Sequence, residues 1–196
     1  MEHGGAFRDS AGTVLGARAE RYAQIAAAIA SLIAGEDDPV AVWATAICEL
    51  HHAFEHHHWT GVYRVTRPGL LVIGPYQGGH GCLRIPFDRG VCGAAARTRQ
   101  TQCVPDVHAF PDHIACSAST RSELVVPVLA PAEYGGAVLA VIDVDSDWPS
   151  AFGPEDVAGL ESVARVLGAH LASLGGVDRR PAPTGTDGSK SVESNE

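Results

Sequence analysis

Apolar residues recur three and four positions apart soon after Ala17. Tyr22, Ile25, Ile29 and Leu32 form one stripe, which predicts an amphipathic helix. Residues 35–38 break it, with Asp38 as an N-cap and Pro39 at the first position of the next helix. Trp43, Ile47, Leu50 and Phe54 form that helix's stripe, and His56, His57 and His58 are expected at its solvated end. The period then shortens. Residues 59–65, 70–73 and 83–86 are β-branched or aromatic runs parted by Gly and Pro turns, and read as strands. Residues 90–98 predict a loop opening a short Ala-rich helix, and residues 101–105 another strand. The segment 106–121 is a long irregular connection, of the kind that more often carries function than not.

Residues 123–129 and 137–144 then predict an antiparallel pair joined across Tyr134, Gly135 and Gly136. A last helix over 154–174 turns Val157, Leu160, Val163, Val166 and Leu167 inward. Helices at both ends of an antiparallel meander predict an α+β domain, its helices packed on one face of the sheet. Residues 1–16 carry no pattern and read as a flexible start; residues 175–196 are rich in Pro, Gly, Ser and Asp and read as a disordered tail. One domain over 17–174 is expected, without internal repeats.

Charge narrows the choice of partners. A formal net charge of −9 on 196 residues repels phosphate backbones, so nucleic acid is not an expected partner. No apolar stretch approaches the roughly 18 residues needed to cross a bilayer, so no membrane is expected either. Residues 1–10 have no apolar run behind a basic start, and a reducing cytoplasm is the expected compartment. There the five cysteines are not expected to form a static disulfide framework.

Cys82, Cys92, Cys103 and Cys116 fall within 35 residues. A cysteine is by default a small buried hydrophobe, which fits Cys48 in the second helix and Cys103 in a strand. Cys92 lies between Gly90 and Gly93 at a helix start, where unpaired N–H groups and the helix dipole favour a thiolate. Cys116 sits in a polar loop close in sequence to His113 and Arg121, and Cys82 in the Gly-rich turn 78–82. Together they form a plausible redox set. Metal is not expected: there is no CxxC, and spacings of ten, eleven and thirteen match no standard structural zinc site. His52, Glu55 and His56 formally fit an H-x-x-E-H zinc pattern on one helical face, but in a segment where five histidines make chance matches easy.

Asp143 and Asp145 alternate with Val144, so both point to one face of a strand, and Glu123 opens the neighbouring one. Carboxylates so close repel, leaving at least one able to donate a proton; alternatively they hold an ammonium group.

The segments 59–63 (WTGVY), 84–93 (RIPFDRGVCG), 101–111 (TQCVPDVHAFP), 113–116 (HIAC), 122–127 (SELVVP) and 141–146 (VIDVDS) together resemble the free methionine-R-sulfoxide reductases, which are GAF-domain enzymes. The likeness runs in order from about Trp43 to Leu174. It implies a catalytic thiol at Cys116, resolving thiols at Cys82 and Cys92, pocket carboxylates at Glu123, Asp143 and Asp145, and an aromatic wall of Trp59 and Tyr63. It also implies no cofactor, a homodimer, and recycling by thioredoxin. The chain departs from the pattern at Ser117, where Asp is usual, at Cys103, and in a longer hairpin over 130–136. The other reading of such a domain is a module that senses a small molecule or redox state without turnover.

Overall fold

The computed structural model describes residues 16–112, 114 and 116–177. The start and tail predicted over 1–16 and 175–196 therefore fall almost wholly outside the described residues. Helix α1 spans Ala17–Leu32 and α2 Pro39–His51. Strand β1 (Trp59–Arg67) pairs antiparallel with β2 (Leu70–Gln77), which pairs with the short β3 (Arg84–Pro86). Helix α3 (Gly90–Thr98) leads to β4 (Gln102–Val104), and the long connection has a 3-10 turn at Val107–Ala109. Strands β5 (Ser122–Leu129) and β6 (Val138–Ser146) and helix α4 (Pro154–Val177) complete the domain. The six strands run β3-β2-β1-β6-β5-β4, every neighbour antiparallel, which makes the α+β class plain.

Local chemistry explains the boundaries. Asp38 Oδ1 accepts from the N–H groups of Val40 (2.6 Å) and Ala41 (3.3 Å), and Pro39 opens α2 where its missing N–H is harmless. Strand β2 runs four residues past its predicted end. Gly74 and Pro75 fall where the register against β1 shifts, between the Gly61–Tyr76 and Tyr63–Ile73 pairs, so they bend the strand without stopping it.

Alternation along the central strands divides the interior in two. Val62, Leu124, Val126, Val128, Ala140, Ile142 and Val144 face α1, α2 and α4. Tyr63, Val125 and Val141 face the other way, into a second cluster with Val91, Cys92, Ala95 and Ala96 of α3. The terminal helices thus share one face, as predicted, whereas α3 covers the opposite one. Its small side chains let it lie close: a Cβ on Gly93 would stand 2.5 Å from the Pro86 carbonyl oxygen.

The histidine cluster corrects the sequence reading. Helix α2 ends at His51, and His56 and His57 are buried rather than solvated, 5% and 3% exposed. His57 Nδ1 meets the Leu50 carbonyl at 2.9 Å and its Nε2 meets Tyr22 Oη at 3.3 Å, while His56 lies 3.4 Å from Asp156. His52 is exposed and turned back on the Cys48 carbonyl, so His52 and His56 share no helical face and the H-x-x-E-H match is accidental. Cys48 and Cys103, expected inside, are exposed.

Candidate active site

The cavity lies on the α3 side of the sheet, floored by the central strands. In the ladder, Asp145 of β6 stands opposite Glu123 of β5 and Trp59 of β1, and Asp143 stands opposite Val125 and Gly61. Register therefore brings together three carboxyl groups from two strands. Trp59, Tyr63, Cys92, Cys116, Glu123, Asp143 and Asp145 all line the resulting cavity of about 30 Å³, joined by His80, Ser117 and Thr120. That is room for roughly two or three water molecules. Cys82 bonds to Cys116 in a disulfide (Cα–Cα 5.3 Å), which ties the Gly-rich 78–82 turn to Cys116 in the cavity wall.

The floor is acidic. Glu123 is 6% and Asp143 5% exposed, and no Lys or Arg is among the described residues that line the cavity. Burial, reinforced by the charge of Asp143, pushes both Glu123 and Asp145 well above the usual carboxylate range. Burial also raises Asp143, to about 7, with hydrogen bonds from Cys92 and Glu123 opposing it. A proton is therefore available at neutral pH to an oxygen that gains charge in this cavity.

Cys92 corrects the expectation of an activated thiolate. Its thiol is buried at the foot of α3 and donates to Asp143 Oδ2 at 3.3 Å. Desolvation first, then the charges of Asp143 and Glu123, push it well above the ordinary thiol value, overriding the helix N-terminus. Of the cations expected near Cys116, His113 lies outside the described residues. Arg121 does not line the cavity; its guanidinium donates to His108 Nε2 at 3.4 Å.

Two features escaped the sequence. Thr120, 5% exposed, hydrogen-bonds the Asp145 carboxylate and holds it in place; a loop threonine carries no periodic signal. Trp59 does more than line a wall. Its ring stacks on Tyr63 and Tyr76 (centroids 5.9 and 5.6 Å), and its indole N–H donates to the Gly79 carbonyl at 3.0 Å. The turn carrying Cys82 is thereby pinned to the sheet. Trp59→Phe keeps the stacking and removes that bond, at a cost of about 1 kcal/mol. Closure of the Cys82–Cys116 disulfide in reduced protein treated with a mild oxidant is expected to slow about fivefold, read by quenched thiol counts. An unchanged rate would mean the turn is held by other contacts.

The sequence matches the GAF domain family over residues 18–171, and the chain belongs to that family. Among its relatives, it is 36% identical over 156 residues to the free methionine-R-sulfoxide reductase of Escherichia coli, covering 80% of this chain and 92% of that one. Its fold superposes on the free methionine-R-sulfoxide reductase of Neisseria meningitidis, solved in complex with its substrate, with TM-score 0.76 and 38% identity over 83% of this chain and 95% of that one. The reduced form of fRMsr from Staphylococcus aureus matches with TM-score 0.71 and 33% identity, over 76% and 94%. Within the GAF family, the chain is thus similar to its methionine sulfoxide reductases along nearly their whole length.

Proposed function

We propose that this protein reduces free methionine-R-sulfoxide to methionine with Cys116 as nucleophile. The observation that carries this reading is the juxtaposition in one cavity of Cys116, disulfide-bonded to Cys82, with the carboxyl groups of Glu123, Asp143 and Asp145. Reduced, the pair frees the two loops over the cavity and admits an amino acid. The Cys116 thiolate attacks the sulfoxide sulfur to form an S–S bond while a buried carboxyl group, Glu123 or Asp143, protonates the sulfoxide oxygen. The S–O bond then breaks as the hydroxyl passes to the Cys116 sulfur, and the S–S bond breaks with its electron pair returning to the methionine sulfur. Methionine leaves and Cys116 carries the oxygen as a sulfenic acid. Attack by Cys82 forms the disulfide and releases water. A dithiol protein, thioredoxin in this proposal, reduces it and takes up the disulfide itself. Cys92 stands behind the pair as a second relay, and its burial at Asp143 suits a reserve thiol better than the first to react.

Trp59 and Tyr63 supply flat walls for the methyl and methylene groups. Asp145 or Asp143 holds the ammonium. A peptide-bound methionine lacks that ammonium and would leave a buried carboxylate unpaired, a penalty of about 1–3 kcal/mol, which favours the free amino acid. A homodimer and a cytoplasmic setting complete the proposal.

The test is thiol titration of pre-reduced protein after addition of free L-methionine-R-sulfoxide, with methionine counted by chromatography. The expected result is loss of about two thiols per methionine formed. Folded protein that loses no thiols and forms no methionine would sink the reductase reading and leave a ligand-sensing module.

A further inference from the structure

The cavity above the acidic floor is the inner of two that share a wall. The second, of about 480 Å³, is lined in addition by His58 and by the exposed Gly79, Ser119 and Asp147, so it lies on the solvent side. Trp59, His80, Cys116, Ser117, Thr120 and Asp145 line both, whereas Tyr63, Glu123 and Asp143 line the inner one. The six shared residues mark the passage between them. His80 is set at that passage by the glycines around it. Gly78 has a φ of +106°, and a Cβ there would stand 2.9 Å from the Trp59 ring; one on Gly81 would stand 2.9 Å from both the Trp59 ring and Tyr63 Oη. With the Trp59 indole N–H on the Gly79 carbonyl, the turn is packed against that ring on both sides of His80. This hold does not depend on the disulfide.

A free amino acid brings two charges to this passage. Carboxyl groups match its ammonium, but its carboxylate must enter a lining that holds Glu123, Asp143 and Asp145 and no described Lys or Arg. Most donors there are already engaged. The Trp59 indole is on Gly79, the Thr120 hydroxyl is on Asp145, and Ser117 Oγ is 3.1 Å from Ser119 Oγ. His58 reaches the outer cavity, and its Nδ1 takes the Asp147 N–H at 3.1 Å. His80 has no hydrogen-bond or ion-pair partner among the described residues. We propose that His80 receives the α-carboxylate of the substrate, with the ammonium at Asp145 and the sulfoxide turned inward to Glu123 and Asp143. The assignment deepens the reductase reading and rests on it. An imidazole N–H donates in either protonation state, and the charged ring pairs with a carboxylate more strongly. No covalent bond is made or broken. A methionine sulfoxide at the N-terminus of a peptide keeps its ammonium but has no carboxylate, so His80 selects against it where Asp145 alone cannot.

The test is binding without turnover. Calorimetry on Cys116→Ser protein compares L-methionine-R-sulfoxide with its carboxamide, which keeps the ammonium and the sulfoxide but carries no carboxylate. His80 is exposed and water screens its pairing, so the free acid is expected to bind about tenfold more tightly than the amide, at the low end for a charge-assisted hydrogen bond. Adding His80→Ala should weaken the acid about tenfold and leave the amide unchanged, abolishing the discrimination; His80→Gln, a neutral donor, should restore part of it. Circular dichroism and melting confirm that each variant folds. Discrimination that survives His80→Ala would place the carboxylate on other donors and overturn the proposal. Equal weakening of acid and amide would also overturn it, since that is what a merely structural role of the turn produces. The two readings fail separately. Wild-type protein that forms methionine while His80→Ala keeps its discrimination sinks this assignment alone, whereas no binding of either compound together with no methionine formed sinks the reductase reading and the assignment with it.

Discussion

Replacing Cys116 by serine is expected to abolish methionine formation, including the first turnover, with a loss on the order of 10³-fold or more in rate. A serine hydroxyl is scarcely ionised at neutral pH, and burial has already raised the nearby carboxyl groups toward their neutral form. Serine also cannot carry the oxygen through a sulfenic acid to a disulfide. Cys82→Ser separates the two halves of the cycle. The Cys116 thiolate is intact, so one methionine per chain is expected in a burst, followed by arrest with Cys116 trapped as a sulfenic acid that a dimedone probe labels. Rapid-quench chromatography and mass spectrometry of the labelled protein read both. A full burst from Cys116→Ser would place the nucleophile elsewhere, with Cys92 the remaining thiol in the cavity.

Much of this architecture is legible in the chain because its central strands alternate cleanly. Val141, Asp143 and Asp145 against Ala140, Ile142 and Val144 announce which residues of β6 face which layer. Glu123 joins them only through the register of β5, which sequence cannot supply. The errors share a physical cause, since local rules treat a residue by its neighbours in the chain and not in space. At Cys92 the helix start argued for a thiolate, yet desolvation and two carboxyl groups from other strands outweigh a dipole worth about 1 kcal/mol. At His56 and His57 a polar run suggested solvent, yet both are buried, with Tyr22 hydrogen-bonded to His57 and Asp156, far away in sequence, 3.4 Å from His56. Helix α3 gave no facing stripe because alanines are small on every side, and only the sheet below decides where they pack.

The helix face offsets what the acidic cavity costs in stability, and Asp156→Ala should expose this with the largest loss of stability outside the cavity. Its side chain is fully buried, and Oδ2 accepts from Arg18 Nη1 at 2.6 Å and from the Gly153 N–H at 2.8 Å. The second bond closes the N-terminus of α4 in the manner of a capping box. Oδ1 accepts from Tyr22 Oη at 3.3 Å, and His56 Nε2 lies 3.4 Å away. Alanine leaves the Tyr22 hydroxyl, the Gly153 N–H and Arg18 without this partner. Arg18 is 41% exposed and is rescued by water, so the expected loss is about 3 kcal/mol, below that for a fully buried pair. The melting temperature should fall roughly 6–12 °C. Burial raises Asp156, but hydrogen bonds from His56, Gly153 and Arg18 more than reverse this and hold it at about 2. A depressed folded pKa means that its stabilisation is complete above the unfolded value near 4 and fades as pH falls toward 2. The penalty of Asp156→Ala should therefore be full in urea unfolding at pH 7 and smaller at pH 3. The network lies across the sheet from the cavity, so the variant, assayed well below its melting temperature, should retain its activity per folded molecule. A variant as stable as the wild type at pH 7 would show that the packing of Tyr22, Phe54 and Phe152, rather than the ionic network, holds α1 to α4.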